Sequence, residues 1–275
     1  MMLSVFGDES TDEMQQRVFA LGGIMATEFT WKELETAWVE RTGGIPFHAV
    51  DCDSDLGNYK DNSHLQNKTL YKDLTILLSK SAVRGYARAY DLIASDKHFP
   101  DSPREMTYYT NFVHVLCKMG EWAKSLNSTV DFTFDSRKES NGNAGFLYSI
   151  FANLPEWDKI MLPKVSFVSS VIYTRVQAAD LFIREAMKEL DRELAPKKRE
   201  RRKSLCTLEE TNHFGVDIYS EEYFRDYRNK FDALENTAGM ARTEYAAWLV
   251  KYGPADTPRN RIRFFAWKEQ QDAKK

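Results

Sequence analysis

The sequence predicts an α/β protein in which helices flank a partly antiparallel sheet. Apolar and polar residues alternate over residues 130–135, as in a strand, whereas leucines recur at helical spacing between residues 63 and 81. Two further strand-like segments, 2–8 and 17–26, are separated by a short polar turn and predict a hairpin. Because a hairpin joins antiparallel strands, the sheet cannot consist of parallel βαβ units alone.

The other elements follow from the same patterns in chain order. Thr30 and Glu33 form a capping box for a short helix near residues 31–41. Residues 45–50 are a candidate strand, and residues 141–145 are rich in glycine and asparagine and predict a loop. Further strands are expected at 82–92 and 164–172, and further helices at 63–81, from 102 to about 126, and at 174–194.

Charge is distributed unevenly along the 275 residues. The formal net charge is −3, but residues 1–180 carry 18 Lys and Arg against 24 Asp and Glu, whereas residues 181–275 carry 20 against 17. An acidic front half and a basic back half would suit a metal site beside a polyanion-binding surface. We expect one α/β domain over residues 1–195, and over 196–275 a basic loop and helical extension packed on the same domain.

The three cysteines indicate reducing surroundings. Cys52, Cys117 and Cys206 are far apart and form no Cys-x-x-Cys pair, which argues against a disulfide framework and a zinc knuckle. The first residues show no signal-peptide pattern, and no segment approaches the ~20 apolar residues needed to span a bilayer. We therefore expect a cytoplasmic protein without a membrane association.

Three aspartates carry the functional prediction. Asp8 and Asp135 close strand-like runs, and Asp180 opens the apolar face of a long predicted helix. Side chains at strand ends lie where an α/β sheet offers a crevice for ligands. A cluster of carboxylates favours a hard cation such as Mg²⁺ or Mn²⁺, and such sites mostly serve hydrolysis or transfer at phosphate.

Each aspartate also has a simpler interpretation. Asp8 and its neighbour Glu9 could belong to a polar turn, and Asp135 could merely terminate a strand. Asp180 and Arg184, one turn apart on the helix, could form a surface ion pair of little energetic weight. If the first strand persists, Asp8 and Glu9 point to opposite faces, so that only one of them joins a given site.

Five short motifs within about residues 2–190 resemble those of the domain-of-unknown-function family 3800. They are Phe6-Gly7-Asp8-Glu9-Ser10, Leu21-Gly22-Gly23-Ile24, Phe47-His48, Asp135 and Gln177-Ala178-Ala179-Asp180-Leu181. The resemblance implies a ribonuclease H-like fold whose divalent metal is held by Asp8 on the first strand, Asp135 on a later strand and Asp180 on a helix. Thr11 stands where the family usually has glycine.

His48 and a basic run are the remaining candidate site residues. His48 could activate water or bind metal, or it could be a hydrogen-bonded structural histidine. The basic run could contact phosphates together with Arg137 and Arg184, or it could be a solvated loop. Its cations are Lys197, Lys198, Arg199, Arg201, Arg202 and Lys203.

Two functions are consistent with these residues. The first is a divalent-metal-dependent phosphodiesterase or nuclease acting on DNA or RNA, in which Glu9 or His48 assists the three aspartates. The alternative is a non-catalytic ribonuclease H-like module that binds nucleic acid or a partner protein and whose carboxylates are structural.

Overall fold

A computed structural model describes residues 1–12, 14, 16–197, 199–230, 232 and 267 of the chain. The chain divides into two units, Met1–Glu221 and Glu222–Lys275. In the second unit, residues 222–230 are helical. All elements named below belong to the first unit, so the boundary predicted at residue 195 falls inside it.

Six strands form one mixed sheet in the order β5-β4-β1-β2-β3-β6. They are β1 (Met2–Thr11), β2 (Val18–Thr27), β3 (Arg84–Asp91), β4 (Thr129–Asp135), β5 (Met161–Val168) and β6 (Phe214–Tyr219). The pairs β1–β2 and β2–β3 are antiparallel, and the other neighbours are parallel. The predicted α/β fold class and opening hairpin are confirmed, and the mixed sheet is consistent with a ribonuclease H-like fold.

Helices cover both faces of this sheet. They are α1 (Glu28–Thr42), α2 (Ala49–Ser54), α3 (His64–Lys80), α4 (Leu92–His98), α5 (Glu105–Ser125), α6 (Asn141–Ala152), α7 (Thr174–Glu193) and α8 (Lys203–Glu209). Apolar residues of α1, α3 and α7 pack on one face, and those of α5 and α6 pack on the other. Within the described residues, no helix has the length and apolar character needed to cross a membrane.

Three predicted elements differ from the structure. The cap of α1 is Thr27, whose side chain accepts a hydrogen bond from the backbone N–H of Thr30, so the predicted cap is one turn late. Residues 45–50 do not form a strand, because the Phe47 N–H bonds to the side chain of Gln177 and α2 begins at Ala49. Residues 141–145 are not a loop but form the first turn of α6. This turn is polar, and the buried side chain of Tyr148 later in the helix provides apolar packing that holds α6 against the core.

The segment beyond residue 195 is not wholly helical as expected. Its strand β6 pairs in parallel with β3, in a register that sets Gly85 opposite Phe214. Phe214, Val216 and Ile218 alternate with more polar residues and pack against the α7 side of the core. This short period-two pattern predicts a strand, and the prevailing helical periodicity of the surrounding residues obscures it.

Gly7 allows β1 to pass closely between its neighbours immediately before Asp8. A Cβ atom at Gly7 would lie 2.4 Å from Cε1 of Phe134 and 2.7 Å from the carbonyl oxygen of Gly22. We expect Gly7→Ala to lower the free energy of unfolding by about 1–3 kcal/mol, because the buried Phe134 ring cannot move away freely. Urea unfolding measures this, and Gly142→Ala is the control, since a Cβ there meets nothing within 4 Å. Equal stability of the Gly7 variant and wild type would contradict the close packing.

Candidate functional site

Asp8 and Asp135 lie side by side where the pairing between the adjacent parallel strands β1 and β4 ends. Gly7 and Phe134 are the last residues of this pairing, and each aspartate follows by one position. Asp135 ends β4, but β1 continues to Thr11, so the prediction that Asp8 closes its strand is wrong. Neighbouring strands are ~4.8 Å apart. Asp8 shares a face of β1 with Phe6, which packs on the α7 side of the core, and Asp135 shares a face of β4 with Thr133. Because Phe132 and Phe134 point to the opposite core, both carboxylates are on the α7 side.

Asp180 faces the same region from α7. The helix is buried over most of its length because its apolar residues pack on β1, β2 and β3. Asp180 is 6% exposed and Asp8 is 7% exposed, so both carboxyl groups are largely removed from bulk water. Among the charges near Asp8, the negative charge of Asp180 raises the pKa of Asp8 most, in keeping with a position of both groups on the same side of the sheet.

Each of the three carboxylates is anchored by one backbone N–H group. The hydrogen bonds run from Glu9 N to Asp8 Oδ1 (2.7 Å), from Ser170 N to Asp135 Oδ1 (2.8 Å) and from Ala49 N to Asp180 Oδ2 (2.7 Å). Within the described residues, the second oxygen of each carboxylate accepts no hydrogen bond. Each group is therefore oriented through one oxygen and retains another that can bind a ligand.

The surroundings disfavour the charged forms of Asp8 and Asp180. Burial raises the pKa of Asp8 well above its usual value, and the charges of Asp180, Glu9 and Asp135 raise it further. Burial also raises the pKa of Asp180, although His48 and the Ala49 N–H oppose this. A bound cation would remove this penalty, because it neutralises several negative charges at once.

Hard oxygen donors suit Mg²⁺ or Mn²⁺, but the aspartates do not enclose an ion as they stand. Among the described residues, no three His, Cys, Asp or Glu side chains are grouped so that they could hold a metal ion. The oxygen atoms are of the type that this cation prefers, but their arrangement does not enclose an ion.

Glu9 lies on the other face of β1, beside Arg137. Its Oε1 is 3.8 Å from Nη1 of Arg137, and the Arg137 guanidinium stands over the ring of Tyr108. Burial raises the pKa of Glu9 to about 7, although the nearby Arg137 charge lowers it. Arg137 and Tyr108 also line a cleft of about 410 Å³. Glu9 can therefore exchange a proton near neutral pH, and its neighbour Arg137 borders this cleft.

His48 occupies the position before the first residue of α2. Its side chain is 54% exposed, and its Nδ1 lies 3.2 Å from Oδ2 of Asp51. When protonated it acts on Asp180 and lowers the pKa of that carboxyl group. His48 thus borders the aspartate site, and its ring remains accessible from solvent.

Gln177 is a site residue to which sequence reasoning assigned no role. Its Oε1 accepts a hydrogen bond from the Phe47 N–H (3.1 Å), and its Nε2 donates one to the Ser170 carbonyl (2.8 Å). It therefore ties together the two segments whose N–H groups anchor Asp180 and Asp135. The sequence feature that could have identified Gln177 as a site residue is its position one turn before Asp180, on the same face of the helix.

Arg184 lies inside the protein and not on its surface. It is 5% exposed, and its Nη2 is 3.5 Å from Oδ2 of Asp53. The interpretation of Asp180 and Arg184 as a surface ion pair is therefore wrong, because both side chains are buried. Contact between Arg184 and phosphate stays a prediction.

The arginines of the basic run bind carboxylates of this chain. Arg199 contacts Asp191, and Arg201 contacts Glu189 and Glu209. The Arg202 guanidinium binds both Glu185 and Asp53. Lys197 and Lys203 are exposed, with no ion pair to any described residue. Lys198 lies outside the described residues, so the part of the run available for phosphate is at least the two lysines.

A scan of protein-family models finds no match to the chain, and no curated protein is significantly similar to it. The resemblance to family 3800 therefore remains a prediction from its short motifs.

Proposed function

We propose that the chain is a divalent-metal-dependent phosphodiesterase that acts on nucleic acid, with Asp8, Asp135 and Asp180 as metal ligands. The observation that supports it most is that three carboxylates, two on adjacent strands and one on α7, act on one another electrostatically, each with one anchored and one free oxygen. The motif resemblance to the ribonuclease H-like family singles out the same three residues.

The protein's own groups would divide the remaining work. Mg²⁺ or Mn²⁺, when bound, supplies Lewis-acid stabilisation of charge at a phosphate group. His48 is the better placed of the two candidates to accept the proton of an attacking water, because its exposed ring borders Asp180. Glu9, with a pKa of about 7, lies beside Arg137 on the face of β1 opposite to Asp8, so a proton accepted by Glu9 or a phosphate bound by Arg137 would be on that other face.

A non-catalytic module is the alternative, and one observation favours it. No ready-made metal-ligand group exists among the described residues, so the carboxylates could serve only to orient loops through their backbone hydrogen bonds. In that case Gln177 and the three aspartates together would be a structural network that holds residues 47–49 and Ser170 against α7.

A cleavage assay distinguishes these functions. Purified protein would be incubated with end-labelled single-stranded and double-stranded DNA and RNA, in Mg²⁺, in Mn²⁺ and in EDTA. We expect cleavage of at least one substrate that requires the divalent ion and is lost in Asp180→Asn. Binding without cleavage in every condition would favour the non-catalytic module.

The two exposed lysines of the basic run should govern affinity and not the chemical step. We expect Lys197→Ala/Lys203→Ala to weaken nucleic-acid binding and to flatten its salt dependence by about one unit of slope per lost phosphate contact. Turnover at saturating substrate should be unchanged, because such contacts are equal in the ground and transition states. Anisotropy titrations between low and high salt measure this, and identical slopes would show that the lysines do not contact the substrate.

We also infer that the protein acts in the cytoplasm. Cys52, Cys117 and Cys206 are free thiols in the structure. Free thiols are typical of proteins from reducing compartments.

A further inference from the structure

A second cleft lies between α2, α3 and α8, and none of the three site aspartates lines it. Its volume is about 680 Å³. Sites for small organic ligands usually measure ~300–1,000 Å³. The cleft is therefore large enough for a ligand of nucleotide size.

Positive charge converges on this cleft from two helices. Lys68 and Lys72 are one turn apart on α3, so they extend from the same side of that helix, and Lys203 lines the cleft from α8. Within the described residues, none of the three lysines forms an ion pair. Asp53 is the one carboxylate among the residues that line the cleft, and it is already bound by Arg202 and Arg184.

Arg202 gives the cleft a rigid wall. Its guanidinium is held by Glu185 and Asp53 and stands 5.6 Å from the centroid of the Tyr71 ring. Glu185 is itself fully buried and accepts a further hydrogen bond from the Tyr71 hydroxyl at 2.6 Å. Because these partners hold the guanidinium in place, little reorganisation is needed when an anion enters.

The remaining lining residues suit binding and not covalent chemistry. Burial raises the pKa of the Cys52 thiol to about 12, so it stays protonated and is a poor nucleophile. Ile76 contributes apolar surface, and Thr207 contributes a hydroxyl group. An organic ligand with a charged end and an uncharged end matches this mixture.

We propose that this cleft binds a small organic phosphate of nucleotide size, with Lys68, Lys72 and Lys203 around its phosphate groups. Lys68, Lys72 and Lys203 meet at one cleft and are not spread along a surface stripe, which suits a compact ligand. The site is separate from the aspartate site and needs no metal, so it extends beyond the proposed nuclease function.

Calorimetric titration of the full chain with ADP in EDTA tests this site, with adenosine as the uncharged probe. We expect saturable binding of ADP and none of adenosine. Lys68→Ala/Lys72→Ala should weaken ADP binding about tenfold or more, because two charge-assisted contacts are lost. Lys80→Ala is the matched control, since Lys80 is an exposed lysine of α3 that does not line the cleft.

The outcomes separate this proposal from the nuclease proposal. Asp8→Asn should bind ADP as wild type does, whether or not the wild type cleaves nucleic acid. No saturable ADP binding, equal binding of adenosine, or unchanged affinity in a folded Lys68→Ala/Lys72→Ala protein would each overturn the phosphate site. Circular dichroism of the variants confirms that they are folded.

Discussion

Asp8→Asn is expected to reduce metal-dependent cleavage by about 10³-fold or more while making the metal-free protein more stable at neutral pH. The loss follows because Asp8 is one of the three proposed metal ligands. The gain in stability, on the order of 1 kcal/mol, follows because the buried carboxylate is destabilised by Asp180, Glu9 and Asp135. Single-turnover cleavage in Mn²⁺ and urea unfolding in EDTA measure the two effects.

The sign of the pH dependence follows from the direction of these shifts. Folding raises the pKa of Asp8 above 3.8 and the pKa of Glu9 from 4.5 to about 7. The folded protein therefore holds these protons more tightly than the unfolded chain, and the resulting stability is complete below about pH 4. It is lost as the pH rises through the folded-state pKa values, and Asp8→Asn should flatten this decline.

Asp158→Asn is the control for Asp8→Asn. Asp158 is exposed and precedes β5, at the opposite end of the sheet from Asp135. The Asp158→Asn substitution should leave the cleavage rate and the free energy of unfolding unchanged. An unfolded metal-free Asp8→Asn protein would show instead that the hydrogen bond from the Glu9 N–H makes Asp8 a structural residue.

Arg202→Ala is expected to lower the free energy of unfolding by about 3 kcal/mol or more. Its removal leaves the fully buried Glu185 without its cation, and it also deprives Asp53 of two hydrogen bonds. Thermal and urea unfolding at neutral pH measure the loss. Replacing Glu185 with Gln in the same protein should recover part of it, because the buried position then carries no charge.

The matched control is another arginine whose ion pair is open to solvent. Arg104 binds Asp96, and the two side chains are 46% and 40% exposed. Arg104→Ala should lower the free energy of unfolding by less than ~1 kcal/mol, because exposed ion pairs contribute little to stability. Equal effects of the two substitutions would contradict the role of Arg202 as the partner of a buried charge.

The strands and long helices could be predicted because their apolar patterns are strong and local. The alternation at residues 130–135 and the apolar face of residues 174–194 correspond to β4 and α7. His48 was misplaced on a strand because its segment is fixed by distant bonds to Gln177 and Asp180, separated by about 130 residues, which no local pattern records. The short strand β6 was missed because parallel pairing with β3 decides its conformation.

The candidate site was predictable only in part. Strand ends gave Asp8 and Asp135, and helix periodicity gave Asp180, because position within an element sets the face that a side chain occupies. The partners of the basic run could not be predicted, since Asp53, Glu185 and Asp191 meet its arginines only after α7 packs against α2 and α8. Charge counts alone made those arginines a candidate phosphate-binding surface.

A structure of the protein soaked in Mn²⁺, with anomalous diffraction recorded, tests the central claim most directly. We predict an anomalous peak within ~2.0–2.3 Å of the free oxygens of at least two of Asp8, Asp135 and Asp180, which will have turned towards the ion. The anchoring hydrogen bonds from Glu9, Ser170 and Ala49 should persist. A soaked crystal with no peak at these carboxylates would contradict the metal site, provided that the Mn²⁺ concentration is far above the concentration that saturates typical metal-dependent enzymes.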